Sequence, residues 1–83
     1  MRARAVIRLG FPSEDRSRIV FGALEPEART APSHRSKVLV ERRGRSLVLT
    51  LEARDTSALR AAVNSHLRFV YLAEAAVDAV KDL

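Results

Sequence analysis

Residues 51–69 read LEARDTSALRAAVNSHLRF, and this stretch decides the fold because a strand pattern passes directly into a long helix. The strand is indicated by leucine at every second position of residues 47–51, the period with which side chains alternate between the two faces of a sheet. Residues 55–57 are Asp, Thr and Ser, whose side-chain oxygens can cap a helix. An alanine-rich run with high helix propensity follows. We therefore predict a strand that ends near residue 54 and a helix that starts at the cap.

The C-terminal helix is predicted to be long for so short a chain. No proline or glycine follows residue 57 before the sequence ends at Leu83, so about 27 residues, or about 40 Å, can be helical. A strand of about eight residues spans only about 26 Å. We therefore expect the helix to extend beyond the sheet that it covers.

This helix is apolar on more than one side. Its polar stripe comprises Arg60, Asn64, Arg68, Tyr71, Asp78 and Asp82, whereas an apolar seam is flanked by further apolar residues and is wider than one sheet-packing stripe. Either the helix is the centre of a compact core, or one side packs on its own sheet while another docks on a second polypeptide. In the second case the expected partner contacts are Leu59, Ala62, Val63, His66, Leu67, Phe69, Val70, Ala73 and Val77.

Further segments complete the predicted architecture. Residues 2–11 alternate between apolar and mainly basic side chains, which indicates a first strand with a basic outer face. A helix that begins with two acidic residues follows, and Pro26 is expected to close it, with a last turn that runs into Glu27 and Ala28. Residues 37–42 form the next strand, and Gly44 lies in the hairpin turn to the strand of residues 46–54.

The predicted fold is a single α+β domain of residues 1–83 with the order β-α-β-β-α. A right-handed first crossover that leaves room for one strand gives a three-stranded antiparallel sheet in the order 1-3-2, with both helices on one face. The opposite face would present Arg4, Arg8, Lys37, Glu41, Arg43 and Arg54 around Val6, Leu39 and Val48. Such a basic surface with an apolar middle could meet RNA, another sheet or only water.

The net charge of +5 is unevenly distributed. Residues 1–54 carry 12 Lys and Arg against 6 Asp and Glu, whereas residues 55–83 carry 3 against 4. This division favours a polyanion near the sheet and a protein partner on the long helix, although the arginines would equally serve only to keep a small domain soluble.

The composition excludes several classes of site. The chain has no cysteine, so neither disulfides nor thiolate metal sites can form. Its apolar runs are too short to cross a membrane, and a strand pattern rather than a signal peptide begins the sequence. We expect a cytoplasmic protein without a membrane partner.

No catalytic constellation is evident in the sequence. The two histidines, His34 and His66, lack metal-ligand spacing, and the three isolated glycines form no phosphate-binding loop. Glu52 and Asp55 are explained by strand-end solvation and helix capping. We therefore expect neither an enzyme nor a bound cofactor or metal.

The order of elements and the basic sheet invite comparison with RNA-binding modules of the KH type. Those modules clamp the RNA backbone with a G-x-x-G loop, which this sequence lacks. No aromatic residue is predicted on the open sheet face for base stacking. A stand-alone KH-like module that binds RNA through the basic face is kept as an alternative hypothesis.

Two motifs resemble a known family. Residues 33–38 read SHRSKV before the predicted hairpin, and residues 51–68 read LEARDTSALRAAVNSHLR. This pattern resembles the small Pcc-type dimerisation subunit of the archaeal and eukaryotic KEOPS complex. The second motif is specific, and the similarity spans nearly the whole chain.

The resemblance implies a non-catalytic scaffold. KEOPS attaches the threonylcarbamoyl group to the adenosine beside the anticodon of ANN-decoding tRNAs, and a separate metal-containing subunit of the ASKHA type performs the transfer. The small subunit of this family binds that catalytic subunit through helices, and it self-associates or pairs with a paralogous small subunit. It also contributes to tRNA contact through the complex, and the candidate tRNA contacts of this chain are Arg4, Arg8, Arg35, Arg43, Arg60 and Arg68. The same partners are expected for this chain.

Overall fold

The computed structural model describes residues 2–30 and 36–81, with side chains for residues 2–26 and 36–80. Five elements follow one another: β1 (Ala3–Gly10), α1 (Glu14–Thr30), β2 (Ser36–Arg43), β3 (Ser46–Ala53) and α2 (Thr56–Lys81). The predicted order is confirmed, and the predicted strand boundaries agree to within a single residue. The predictions for His34, Arg35 and Asp82 lie outside the described residues.

The three strands form one antiparallel sheet in the order β1-β3-β2. The central strand is β3, so Ile7 of β1 and Val40 of β2 both pair with Leu49. The predicted α+β class and strand order are therefore confirmed. Because side chains alternate along a strand, this register also decides which residues share a face of the sheet.

A two-residue turn joins β2 to β3. Arg43 pairs with Ser46, so Gly44 and Arg45 form the turn itself. Gly44 has a φ of +59°, a left-handed conformation that glycine adopts at little steric cost. Arg45 has a negative φ, and glycine at the first central position is typical of the type II′ hairpin turn.

The two helices cover one face of the sheet and enclose the core. Leu47, Leu49 and Leu51 of β3 are fully buried, because the central strand is flanked by both neighbours and covered by the helices. Val20 and Leu24 of α1 are fully buried in the same cluster. The prediction that both helices pack on one face is confirmed.

A buried hydroxyl fixes the start of α1 over the hairpin turn. The Ser13 Oγ caps the helix by accepting the Arg16 N–H at 3.1 Å. Ser17 is fully buried, and its Oγ lies 2.8 Å from the carbonyl oxygens of both Glu14 and Gly44. A hydroxyl has one proton, so it donates to one of these carbonyls at a time.

The predicted end of α1 at Pro26 is wrong, because the helix continues to Thr30 with Pro26 inside it. Proline removes one backbone donor and crowds the carbonyl four residues before it. The residues after it can still donate to carbonyls of the preceding turn. Leu24 is fully buried just before Pro26, so packing holds the helix on the sheet where the proline weakens it.

The predicted long C-terminal helix is confirmed, and Asp55 is its cap. The Asp55 Oδ1 accepts the Ala58 N–H at 2.8 Å, and the Asp55 carbonyl accepts the Leu59 N–H at 3.0 Å. The helix has 26 residues, or about 39 Å, against about 26 Å for the strands. It therefore extends beyond the sheet, and the longest dimension of the molecule is 47 Å. Neither helix of the described chain is long and apolar enough to cross a membrane.

Candidate docking surfaces

One side of α2 belongs to the core of the chain itself. Of the nine predicted partner contacts, Ala62 and Val70 are only 8% and 7% exposed. Leu59, Val63 and Ala73 are half-buried and pack against the same core. Ala62 and Val70 are covered by the core of the chain itself, and partner contact at the nine positions stays a prediction. These five residues hold α2 on its own sheet.

The other four predicted contacts are His66, Leu67, Phe69 and Val77. All are half-buried except Phe69, which is exposed. The His66 Nδ1 lies 2.9 Å from the Ala62 carbonyl oxygen, and its ring meets the Phe69 ring edge-on at a centroid distance of 6.3 Å. His66 therefore interacts with its own helix and with the ring of Phe69.

An apolar stripe along α2 is left uncovered by the described part of the chain. Phe69, Leu72, Ala76 and Val80 follow one another at three- or four-residue steps, so they share one side of the helix. The exposed fractions are 37% for Phe69, 60% for Leu72 and 69% for Val80. We call these four residues the α2 stripe. Only Phe69 is among the predicted partner contacts, because the sequence pattern does not distinguish the flank of the apolar seam that faces outward.

An ion pair to α1 shows which way the α2 stripe points. The Arg16 Nη2 lies 2.7 Å from the Asp78 Oδ1 and joins the start of α1 to the far end of α2. Asp78 is two positions from both Ala76 and Val80, which is about 200° around a helix. The α2 stripe therefore faces away from α1, towards a side that the described chain does not occupy.

A second uncovered surface is the sheet face opposite the helices, which we call the open face. Its two central cross-strand rows are Val6–Thr50–Leu39 and Arg8–Val48–Glu41, and its outer rows are Arg4–Glu52–Lys37 and Gly10–Ser46–Arg43. Val6 and Leu39 are 60% and 56% exposed, and Val48 is half-buried between its neighbours. The predicted basic face with an apolar middle is confirmed, except that Arg54 lies beyond the end of β3.

The candidate tRNA contacts do not form one patch. Arg4, Arg8 and Arg43 are exposed on the open face. Arg60 and Arg68 are exposed on α2, in the helical layer on the other side of the sheet. The open face also carries two carboxylates, Glu41 and Glu52 in its rows, so its positive potential is interrupted.

The described residues contain no group of three or more metal-ligating His, Asp or Glu side chains. A shallow depression of about 290 Å³ lies at the start of α2 and is lined by Arg54, Asp55, Ser57, Ala58 and Ala61. The Asp55 carboxylate in this depression accepts the Ala58 N–H of the helix cap. The depression is therefore explained by the capped start of α2.

The sequence matches the family model described as "Transcription factor Pcc1" over residues 4–78, a span that runs from β1 to the end of α2. The chain belongs to the Pcc1 family. It is 42% identical over 72 residues to the KEOPS complex subunit Pcc1 of Pyrococcus abyssi (strain GE5 / Orsay), covering 87% of this chain and 88% of that protein. The matched span contains both the open face and the α2 stripe of this Pcc1-family chain.

A solved structure has the same fold. The crystal structure of the binary complex Gon7-Pcc1 contains a chain that superposes with a TM-score of 0.82, covering 94% of this chain and 95% of the other. The sequence identity is 17%, so this similarity concerns the fold alone.

Proposed function

We propose that the protein is a non-catalytic scaffold and dimerisation subunit of a KEOPS complex. In this role it supports threonylcarbamoyl modification of tRNA adenosine by binding the catalytic ASKHA-type subunit and a second small subunit, either its own copy or a paralogue. The proposal is supported by membership of the Pcc1 family and by the relative named as a KEOPS subunit. The cytoplasm is the compartment in which we place it.

The observation that carries the proposal is the α2 stripe. A soluble chain gains little from leaving a leucine and a valine largely exposed in line with a phenylalanine on one helix side. Full burial of such a side chain is worth about 1.5 to 3 kcal/mol. A partner that covers the stripe therefore gains part of its binding free energy by burying these side chains. Large apolar side chains at the centre of an interface commonly dominate its affinity.

The stripe fits a helical partner. It runs along one side of a helix and projects past the sheet, so a second helix can lie beside it without meeting a strand edge. The helix-mediated docking of the catalytic subunit implied by the family resemblance would use this side. Arg60 and Arg68 are exposed on the same helix and would lie at the rim of the interface or reach tRNA.

Co-purification with the catalytic KEOPS subunit of the same organism tests the proposal. The variant Leu72→Arg places a charge at the centre of the α2 stripe. Arginine has a helix propensity close to that of leucine, and the substitution changes no buried residue. We expect capture of the catalytic subunit to weaken by at least about tenfold, because truncating or charging a central apolar anchor typically costs more than about 1.4 kcal/mol.

The matched control is Asn64→Arg, which introduces the same charge at an exposed position of the polar stripe of α2. We expect this variant to retain capture and both variants to keep the helical circular dichroism spectrum. Equal capture by the parent and Leu72→Arg would contradict the assignment of the stripe to the catalytic subunit. Failure of the parent to capture it would contradict the proposed function as a whole.

A further inference from the structure

We propose that the ion pair between Arg16 and Asp78 is a positioning contact, which holds the overhanging end of α2 in the orientation that a docking partner meets. We call residues 74–81 the α2 end, and it carries half of the α2 stripe. This inference rests on the proposed function and deepens it, because it identifies a determinant of docking that lies outside the apolar side chains of the stripe.

The α2 end lies outside the core of the chain. Among the described residues, Ala73 is the last residue of α2 that packs against the core cluster, and Ala76 and Val80 are exposed. The α2 end comprises about 12 Å of helix, which is close to the length by which α2 exceeds the strands. The sheet therefore supports this segment only through the preceding turns of the helix.

The ion pair supports the α2 end directly. The Arg16 Nη2 lies 2.7 Å from the Asp78 Oδ1, and the two residues are 62 positions apart in the chain. The Arg16 side chain is only 19% exposed, so its guanidinium has exchanged much of its hydration for a charge-assisted hydrogen bond. Asp78 is 60% exposed, so solvent screening keeps the contribution of the pair modest.

Both charges stand at the unfavourable end of their own helix. Arg16 lies in the first turn of α1, where the helix dipole favours anions, and Asp78 lies in the last turn of α2, where the dipole favours cations. Stabilisation of its own helix therefore explains neither residue. A contact between the two helices explains both, because each charge compensates the other.

The pair can affect docking without lying on the α2 stripe. Asp78 is about 200° around the helix from both Ala76 and Val80, so it faces α1 while the stripe faces outward. Without the pair the α2 end frays more often, and a partner must then order it on binding at a cost in conformational entropy. We therefore expect a smaller loss of affinity than from Leu72→Arg, which changes the stripe itself.

Charge reversal tests the pair by amide hydrogen exchange of the purified full chain, followed by mass spectrometry. Arg16→Glu and Asp78→Arg each place like charges against one another and should accelerate exchange of the α2 end about two- to fivefold. The double variant restores opposite charges and should exchange like the parent. Arg18→Glu is the matched control and should leave the α2 end unchanged, because Arg18 pairs locally with Asp15 at 3.0 Å.

The variant Asp78→Arg distinguishes the pair from a local effect within α2. A cation in the last turn is favoured by the helix dipole, so exchange would become slower if Asp78 acted only on its own helix. Slower or unchanged exchange in Asp78→Arg would overturn the proposal. A double variant that exchanges as fast as the single variants would do the same.

Capture of the catalytic KEOPS subunit tests the link to docking. We expect its dissociation constant to rise about two- to fivefold in each single variant and to return to within about twofold of the parent in the double variant. The double variant carries both new side chains, so its recovery excludes their direct effect on the partner. Arg18→Glu should bind like the parent.

The outcomes separate this inference from the proposed function. Faster exchange in the single variants with parent-like capture would overturn the positioning role, even though the proposed function would stand. Failure of the parent to capture the catalytic subunit would contradict the proposed function, and the exchange measurements would still decide whether the pair holds the α2 end.

Discussion

The two faces of the sheet are built from alternate residues of the same strands, yet they differ completely in burial. Leu47, Leu49 and Leu51 of β3 are fully buried beneath the helices, whereas Val48 and Thr50 between them lie on a face with largely exposed neighbours. The covered face therefore carries the stability of the chain. The open face has apolar residues that contribute little to folding, which is the distribution expected of a surface that meets a partner.

The same division runs along α2, and it provides the variant with the largest expected effect. Val70→Arg places a charge in the core, whereas Leu72→Arg two residues later places it on the α2 stripe. We expect the first to unfold the chain or cost more than about 4 kcal/mol, because a buried unpaired charge is expensive, and the second to cost less than about 0.5 kcal/mol. Urea unfolding followed by circular dichroism measures both. Similar losses for the two variants would remove the distinction between the sides of α2.

One substitution made on each face sharpens the comparison of the sheet surfaces. Leu49→Ala on the covered face should reduce the free energy of unfolding by about 2 to 5 kcal/mol, through lost burial and the cavity left behind. Leu39→Ala on the open face should change it by less than about 0.5 kcal/mol, because Leu39 is 56% exposed. Urea titration at low protein concentration provides the values. A large loss for Leu39→Ala would mean that the open face is part of the folding core.

A smaller effect is expected for the buried hydroxyl of Ser17, which fixes the start of α1 over the hairpin turn. Ser17→Ala removes the buried hydroxyl that lies 2.8 Å from the carbonyl oxygens of Glu14 at the start of α1 and Gly44 in the hairpin turn, and that donates to one of them at a time. We expect a loss of about 0.5 to 1.5 kcal/mol, the net contribution of one hydrogen bond, because the Gly44 carbonyl still accepts from the Arg42 Nη1 at 3.0 Å. Amide hydrogen exchange should accelerate at the start of α1 more than in the middle of α2. Parent-like exchange and stability in Ser17→Ala would show that the hydroxyl does not hold α1 in place.

Most of the fold could be predicted from local rules. Alternation along β3, the cap at Asp55 and the glycine of the hairpin turn are each set by neighbouring residues, and these elements agree with the structure. The end of α1 could not be predicted this way, because the packing of Leu24 on the sheet outweighs the local effect of Pro26. Tertiary packing decided that boundary.

The candidate surfaces were predictable to different degrees. The composition of the open face follows from strand parity, since a single register places Val6, Leu39 and Val48 together. The outward side of α2 does not follow from sequence. Apolar residues occupy most of its circumference, so the pattern does not show which side packs on the sheet and which side faces outward. That side is determined by the packing of α1 against α2, a long-range contact that includes the ion pair between Arg16 and Asp78.

The most direct test of a scaffold with two separate surfaces is the mass of its complex with the catalytic KEOPS subunit, measured by light scattering during size-exclusion chromatography at high concentration. If the α2 stripe binds the catalytic subunit while a separate surface binds a second copy of the small subunit, the complex should contain two copies of each chain. Leu72→Arg, which charges the α2 stripe, should remove the catalytic subunit from the complex. A parent complex with one copy of each chain would contradict the account, because the two partners would then compete for one surface.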